Sequence, residues 1–389
     1  MTGAAGPSSA IAIADARPAS AARSLPTLRP ARFEDYPQIQ RLESSHGLLT
    51  LSEEDWRHIW RDHPLIDRLG TDWPIGWVLE DGEGKIIGSL ANVPSLYTFE
   101  GRELIAATGR AWVVAEPFRG IALWLMDEYF NQPGVDLFVN TTVNSMAVDP
   151  FTAFGSKRVP LGDWELASYW ITGYRGFARA ALRIKRAPLS GVISYPAGAI
   201  LRAKDLATMK PLPTCDSSVT IESRDGFDAT FDTFWRELVA RSPRKLLNVR
   251  DSRTLSWHFA GALRAGHAWI FAAMRGGLMR AYCVVKRQDH PPSGLVRMRL
   301  VDYQSVDDND LLPSLLDAAL RRCRREGIHT FEHVGRALPK MRAFDDHAPY
   351  RRRLLAWPYY FHATDASIHA RLNNPEAWNP STYDGDASL

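Results

Sequence analysis

The sequence predicts an α/β chain of two similar domains, each a mixed, largely antiparallel sheet flanked by helices. Three observations carry this. At 389 residues the chain is longer than one core usually fills. Short apolar strands alternate with amphipathic helices. The order of elements in the first half also recurs in the second, although the residues themselves do not.

The elements follow in turn. "TLRPARFEDYPQIQRLES" reads as a strand and then a helix from near Glu34, with Phe33 able to staple its start. "TLSEEDWRHIWRDHP" is a second helix, with Ser52 as N-cap and acidic residues in its first turn. "IGWVLEDGEGKIIGSLANVPSL" is a hairpin, and "LIAATGRAWVVAE" a strand that stops before Pro117. "GIALWLMDEYFN" is a helix, "VDLFVNTTV" a strand, and "VNSMAVDPFTAFGSKRVP" a short helix leading into a short strand. In the second half "DGFDATFDTFWRELVARS" and "DSRTLSWHF" are helices, "HAWIFAAMRGGLMRAYCVVKR" a hairpin and "LVRMRLVDYQS" a strand. "NDLLPSLLDAALRRCRREG" is a helix ending at Gly327, and "IHTFEHVG" the strand after it. Residues 170–215, with several Gly and Pro, read as the connection. The expected organisation is a disordered leader (1–24), a first domain (25–180), a second (181–375) and a flexible tail (376–389).

Composition narrows the function classes. Apolar residues make up 45% and charged residues 23%, which is ordinary for a globular protein. A net charge of +3 gives no general argument for nucleic acid. Cys215, Cys283 and Cys323 are widely spaced, against a disulfide framework or a structural zinc site. His329 and His333 follow strand-like spacing, so no metal is expected. No run approaches the roughly 18 apolar residues of a membrane span, and a cytoplasmic location is the expectation.

Chemistry concentrates at two places. In "AWVVAEPFRGIALWLMDEYF" a strand passes through Pro117, Arg119 and Gly120 into a helix. A helix start offers unpaired N–H groups and a positive dipole end to an anion; Arg119 adds charge, and Gly120 allows close backbone approach. In the second place Asn144, Ala147, Phe151 and Gly155 recur at steps of three, four and four, along one helix face. Each has a plainer reading: Arg119 as a turn arginine, Asn144 as a helix N-cap, Phe151 as core.

Found in this order, the two stretches resemble the GNAT superfamily of acyl-CoA-dependent acyltransferases, over about residues 25–165 and faintly in the second half. The matching residues are Val114, Pro117, Arg119 and Gly120, then Asn144, Ala147, Phe151 and Gly155. The resemblance implies a tandem GNAT-like chain with acyl-CoA, acetyl-CoA first, as co-substrate. Its cofactor contacts would be Val113, Val114, Arg119, Gly120, Ile121, Ala122, Asn144, Ala147 and Phe151. An N–H of Val113 or Val114 would polarise the thioester carbonyl, and Val114 and Asn144 are the catalytic candidates. The implied acceptor is an amine or hydroxyl of a small molecule or saccharide in the cleft between the halves, with the protein a monomer or homodimer.

Two departures stand out. Ala122 and the bulky Trp124 occupy positions where the family has small residues, and Phe151 stands where many members have a tyrosine that protonates the leaving thiolate. The base is not evident: Glu116, Asp163, His46 and His63 qualify by residue type alone. The second half lacks the Arg-Gly signature and carries Asp307, Asp308 and Asp310 at its helix start, which implies a scaffold or an acceptor-side wall. Two other readings stay open. One is a Fem-type aminoacyl transferase using aminoacyl-tRNA, against which stands the lack of a long basic helical arm. The other is a non-catalytic, degenerate GNAT binding module.

Overall fold

The computed structural model describes residues 25–389 except 71, 163, 214–217, 308–310, 336–338 and 355–356. Asp163, Cys215, Asp308, Asp310 and the expected leader therefore lie outside the described residues. The first half runs β1 (Thr27–Pro30), α1 (Tyr36–Ser45), α2 (Glu53–Arg61), α3 (Ile66–Leu69), β2 (Gly76–Glu80), β3 (Ile86–Phe99) and β4 (Arg102–Val114). It continues with α4 (Leu123–Asn131), β5 (Leu137–Asn140), α5 (Val148–Ala153), β6 (Lys157–Arg158) and β7 (Leu166–Ile171). After α6 (Tyr174–Ile184) and α7 (Ser190–Thr208), the plan repeats. The second half holds β8 (Thr220–Arg224), α8 (Ala229–Arg241), β9 (Leu247–Asn248), α9 (Ser252–Arg264), β10 (Ala268–Arg275), β11 (Leu278–Arg287) and β12 (Arg297–Ser305). It closes with α10 (Leu312–Arg325), β13 (Thr330–Val334), α11 (Arg342–His347), β14 (Tyr350–Arg353), β15 (Tyr360–Ala363) and α12 (Ala366–Arg371).

Local chemistry sets several boundaries as expected. Ser52 accepts the Asp55 N–H at the start of α2, and Asp251 accepts that of Thr254 at the start of α9. Gly327, with φ of +69°, lets the chain turn after α10.

Among the described residues the strands form two sheets, ordered β1-β2-β3-β4-β5-β15-β6 and β14-β7-β13-β12-β11-β10-β8, with the short β9 beside β3. Each sheet is antiparallel except for one parallel pair, β4–β5 in the first and β12–β13 in the second. The internal repeat is thus present in topology as well as in element order. The last strand of each half crosses over: β7 lies in the second sheet against β13, and β15 lies in the first against β5. Sheet membership therefore does not change at residue 180, where the sequence suggested a boundary. One apolar cluster joins Tyr97, Leu104, Val139 and Phe361 of the first sheet to Phe271, Leu300 and Phe331 of the second. The halves bury part of their apolar surface against each other and share a core.

Two expectations need correcting. The connection at 170–215 begins in the end of β7, the last strand of the first plan, and holds the helical hairpin α6–α7. Its glycines look like breakers, yet at Gly198 a Cβ would meet the Arg175 backbone at 3.0 Å, so the glycine lets two helices touch. The tail at 376–389 is not free. Trp378, Tyr383, Asp384 and Ser388 are buried, and Asp386 accepts hydrogen bonds from Thr141 and Thr142 at 2.8–3.0 Å. Its Pro, Gly and polar residues read as a loose end, but their partners lie far away in sequence. Arg250, almost wholly buried, binds Asp302 (2.9 Å), Ser381 (3.1 Å) and Asp384 (3.1 Å) and ties the tail to β12. Burial works to raise the Asp302 carboxyl, and Arg250 outweighs it and leaves the group below its usual range.

Candidate acyl-CoA groove and acceptor cavity

The parallel ladder between β4 and β5 is short, pairing only Ala106 with Leu137 and Ala107 with Phe138. Beyond it β4 continues beside β3 while β5 ends, so the two strands part. Asn140 wedges the opening: its Oδ1 accepts the Gly109 N–H at 3.1 Å. Tyr129 braces the same point by donating to the Ala107 carbonyl at 2.9 Å. Just past the wedge, Ala111 and Trp112 together oppose one residue of β3, and Ala111 has φ of +53°. This is a β-bulge with its first residue left-handed, a conformation costly for alanine and common beside functional sites.

The bulge decides which amides face the opening. Val114 lies opposite Gly88, and the Ala115 N–H donates to the Ile87 carbonyl at 2.7 Å. Alternation along the strand then turns the Val114 N–H away from β3, onto the free edge of β4. Val113 faces the other way: its side chain packs with α1 and α2, whereas that of Val114 packs with α4 and α5. Of the two N–H groups considered from the sequence, the free edge carries that of Val114.

After β4 the chain makes a 3₁₀ turn (Glu116–Ile121) before α4 begins at Leu123, slightly later than the sequence suggested. Arg119 is 57% exposed on this turn, 3.9 Å from Glu116. A Cβ at Gly120 would meet nothing, so the fold itself leaves room there. Ile121 and Ala122 pack into the cluster that holds Val114, Ala147 and Phe151. Trp124 is 42% exposed.

Asn144 is exposed and its Oδ1 accepts the N–H groups of Met146 (3.0 Å) and Ala147 (3.1 Å), so it caps the chain entering α5. α5 is shorter than the sequence pattern implied, and Asn144 precedes it. Ala147 and Phe151 are buried on its inner side. Gly155, with φ of +78°, closes the helix: its N–H donates to the Thr152 carbonyl and that of Ser156 to Phe151, a Schellman ending. Phe151 faces Trp112 of the bulge at 6.4 Å between ring centres, and also Phe130 (5.8 Å) and Tyr360 (6.4 Å). Tyr360 arrives on the exchanged strand β15. It lies more than 200 positions from Phe151 in sequence, and only the strand exchange brings it close.

A cavity of about 110 Å³ lies between the halves, lined by His63, Ser95 and Thr108 of the first and by Trp257, His258 and Tyr383 of the second. Ser95 Oγ and Thr108 Oγ1 are buried without a hydrogen-bond partner, which marks a place for water or ligand. An apolar cavity of about 310 Å³, walled by Phe33, Trp60, Ile66 and Trp73, adjoins it through His63 and Pro94. Of the base candidates, Glu116 sits on the exposed turn and His46 ends α1 with its Nδ1 at the Leu42 carbonyl. Among the described candidates His63 alone lines the cavities. Its Nδ1 accepts the Leu65 N–H at 3.1 Å, which puts the proton of the neutral ring on Nε2. Burial lowers its pKa to about 3, so it can donate a hydrogen bond but is poorly placed to take a proton.

The second sheet shows what became of the equivalent opening. Past the β12–β13 ladder the carbonyl of Val301 accepts from Thr382 Oγ1 (3.1 Å) and the Tyr383 N–H (3.2 Å). The carbonyl of Tyr303 accepts from Lys340 at 3.3 Å. The C-terminal segment fills this opening and leaves about 10 Å³, the lower limit for one water. Asp307, just past the end of β12, is paired with Arg275 at 2.5 Å. Among the described residues no group of acidic, His and Cys side chains could hold a metal ion.

No protein-family model and no curated protein matches this sequence. Solved structures do match in fold. A GCN5-related N-acetyltransferase from Kribbella flavida aligns with a TM-score of 0.53 at 13% identity, over 88% of this chain and 71% of its own. One from Anabaena variabilis gives 0.51 at 11%, over 87% and 73%. The Saccharomyces cerevisiae N-myristoyltransferase with bound myristoyl-CoA gives 0.52 at 9%, over 87% and 79%. At these identities the likeness is one of fold. The chain has the GNAT fold, in a tandem arrangement with exchanged strands.

Proposed function

We propose that this protein is an acyltransferase that moves an acyl group, acetyl in the first instance, from acyl-CoA to an amine or hydroxyl of a small-molecule or saccharide acceptor. The observation that carries the proposal is the wedged opening between β4 and β5, with the Val114 N–H on its free edge. An extended amide chain such as pantetheine can hydrogen-bond to an unpaired strand edge as a further strand would. In this reading the pyrophosphate lies at the turn 116–121 near Arg119 and Gly120, with Ile121 and Ala122 beneath it, while Ala147 and Phe151 wall the thioester end. The Val114 N–H polarises the carbonyl, and Asn144 holds α5 in place.

The nucleophile attacks the thioester carbon, the new C–N or C–O bond forms as the nucleophile gives up its own proton to solvent water, the C–S bond breaks, and the thiolate takes a proton. Phe151 cannot supply that proton; Tyr360, beside it on the same face of the sheet, is the proposed donor, and it regains its proton from solvent. Ser95 and Thr108 offer hydrogen bonds to the acceptor, whose apolar part enters the adjoining cavity. The second half is scaffold and acceptor wall. Isothermal calorimetry with acetyl-, longer acyl- and free CoA tests the proposal, followed by turnover with an acceptor panel. Absence of binding to any of them would remove it.

A further inference from the structure

The hairpin α6–α7 is built with its polarity reversed. The face of α7 that meets α6 is small and polar, with Ser194, Gly198 and Asp205 buried. Asp205 accepts from the hydroxyls of Tyr174 (3.0 Å) and Tyr350 (2.6 Å), which anchors the hairpin to the edge of the second sheet. At about 100° per residue the opposite face carries Leu189, Val192, Ile193, Pro196, Ile200 and Ala203. These residues are exposed, Val192 at 68% and Ile200 at 70%. A 19-residue helix is about 28 Å long, so this apolar stripe is extensive.

The hairpin that carries the stripe is strongly basic. Residues 174–210 hold eight Lys or Arg and one acid, the buried Asp205, although the whole chain carries only +3. Arg175, Arg179 and Arg183 recur every fourth residue along α6, Lys185 and Arg186 follow in the turn, and Arg202 and Lys204 lie on α7. None of these seven makes an ion pair among the described residues, whereas many arginines elsewhere are paired. Arg175 instead stacks on Tyr195 of α7 at 3.7 Å.

We propose that this face docks on an anionic lipid bilayer, with the apolar stripe entering the headgroup boundary and the arginines and lysines meeting lipid phosphates. An exposed apolar helix face on a hairpin rich in unpaired cations matches the chemistry of such a surface. A second copy of the chain fits less well, because symmetric pairing would press two strongly basic faces together. Nucleic acid would use the cations and leave the apolar stripe in water.

Flotation of the full chain with vesicles tests this. Vesicles of phosphatidylcholine with about one third phosphatidylglycerol should carry the protein at least about tenfold better than phosphatidylcholine alone, at about 0.1 M salt. Val192→Ser with Ile200→Ser keeps every charge and should abolish most of that binding. Arg179→Glu with Arg183→Glu should do the same. The proposal fails if the wild-type chain does not float with anionic vesicles, or if the serine variant floats as well as wild type. It also fails if bulk transfer RNA displaces the vesicles and binds the serine variant unchanged. A dimer in sedimentation velocity that the serine variant dissociates would assign the face to self-association and overturn it as well.

Discussion

The side-chain oxygen of Asn140 accepts the backbone N–H of Gly109 at 3.1 Å, where the ladder between β4 and β5 has just ended. One side chain does what the next rung of backbone would have done, and the strands part beyond it. A Cβ at Gly109 would meet that oxygen at 3.0 Å, so glycine and asparagine fit each other. Everything proposed for the groove depends on the strand edge this contact leaves free.

The exposed turn should bind the anionic end of the cofactor. A charge-assisted hydrogen bond from Arg119 to phosphate contributes about 1.5–3 kcal/mol. Arg119→Glu should therefore lower acyl-CoA affinity at least about tenfold, while the thermal midpoint without ligand is unchanged, since the side chain is largely exposed. Arg324→Glu, on α10, should leave affinity alone. Calorimetry on both variants checks this.

Phe151 and Tyr360 should separate wall from proton donor. Phe151→Leu should keep turnover within a few-fold, at a core cost of about 1 kcal/mol. Tyr360→Phe should lower kcat by about tenfold or more without loss of acyl-CoA affinity. Equal turnover of Tyr360→Phe and wild type would return protonation to solvent or another group.

Ser95 and Thr108 should matter for the acceptor and not for the fold. Their hydroxyls are buried without partners, so removing them relieves a cost of about 1–3 kcal/mol each instead of breaking a bond. Ser95→Ala and Thr108→Val should hold or raise the unfolding midpoint in urea while raising KM for the acceptor. A lower midpoint would mean that the hydroxyls are satisfied in solution by structural water.

Acid should weaken the protein through its buried histidines. Burial lowers both His63 and His333 to about 3, whereas unfolded histidine titrates near about 6.5. Between those values the unfolded chain binds more protons, so stability is lost as pH falls through that window. Urea midpoints should drop from pH 7 toward pH 4, and His333→Gln should flatten the slope. An unchanged slope in that variant would place the acid sensitivity elsewhere, such as in the carboxylates around Arg250.

Much of the fold was legible in the sequence because its signals are local. The cap at Ser52, the hairpins and Gly327 each act within a few residues. The element order implied the repeat that the two sheets realise. What escaped notice depends on contacts far apart in the chain. Nothing near Tyr360 says that its strand crosses to the first sheet, and nothing in "NPSTYDGDASL" says that Arg250 and Thr141 await it. At Gly385, φ of +84° and a Cβ that would meet Thr141 at 2.7 Å show a packed crossing where the sequence suggested a loose end. The Gly and Pro residues of 170–215 give the basic hairpin the local look of a linker. The groove was partly legible: the turn and α5 were found by spacing, whereas the wedge at Asn140 and the bulge at Ala111 carry no local signature.

In the proposed function one opening of the tandem binds acyl-CoA, while the other is filled by the chain itself. Titration calorimetry of the full-length protein with acetyl-CoA and longer acyl-CoAs measures this directly. The account predicts one site per chain, abolished or strongly weakened by Arg119→Glu. Two equivalent sites per chain, or one site indifferent to Arg119→Glu, would contradict it.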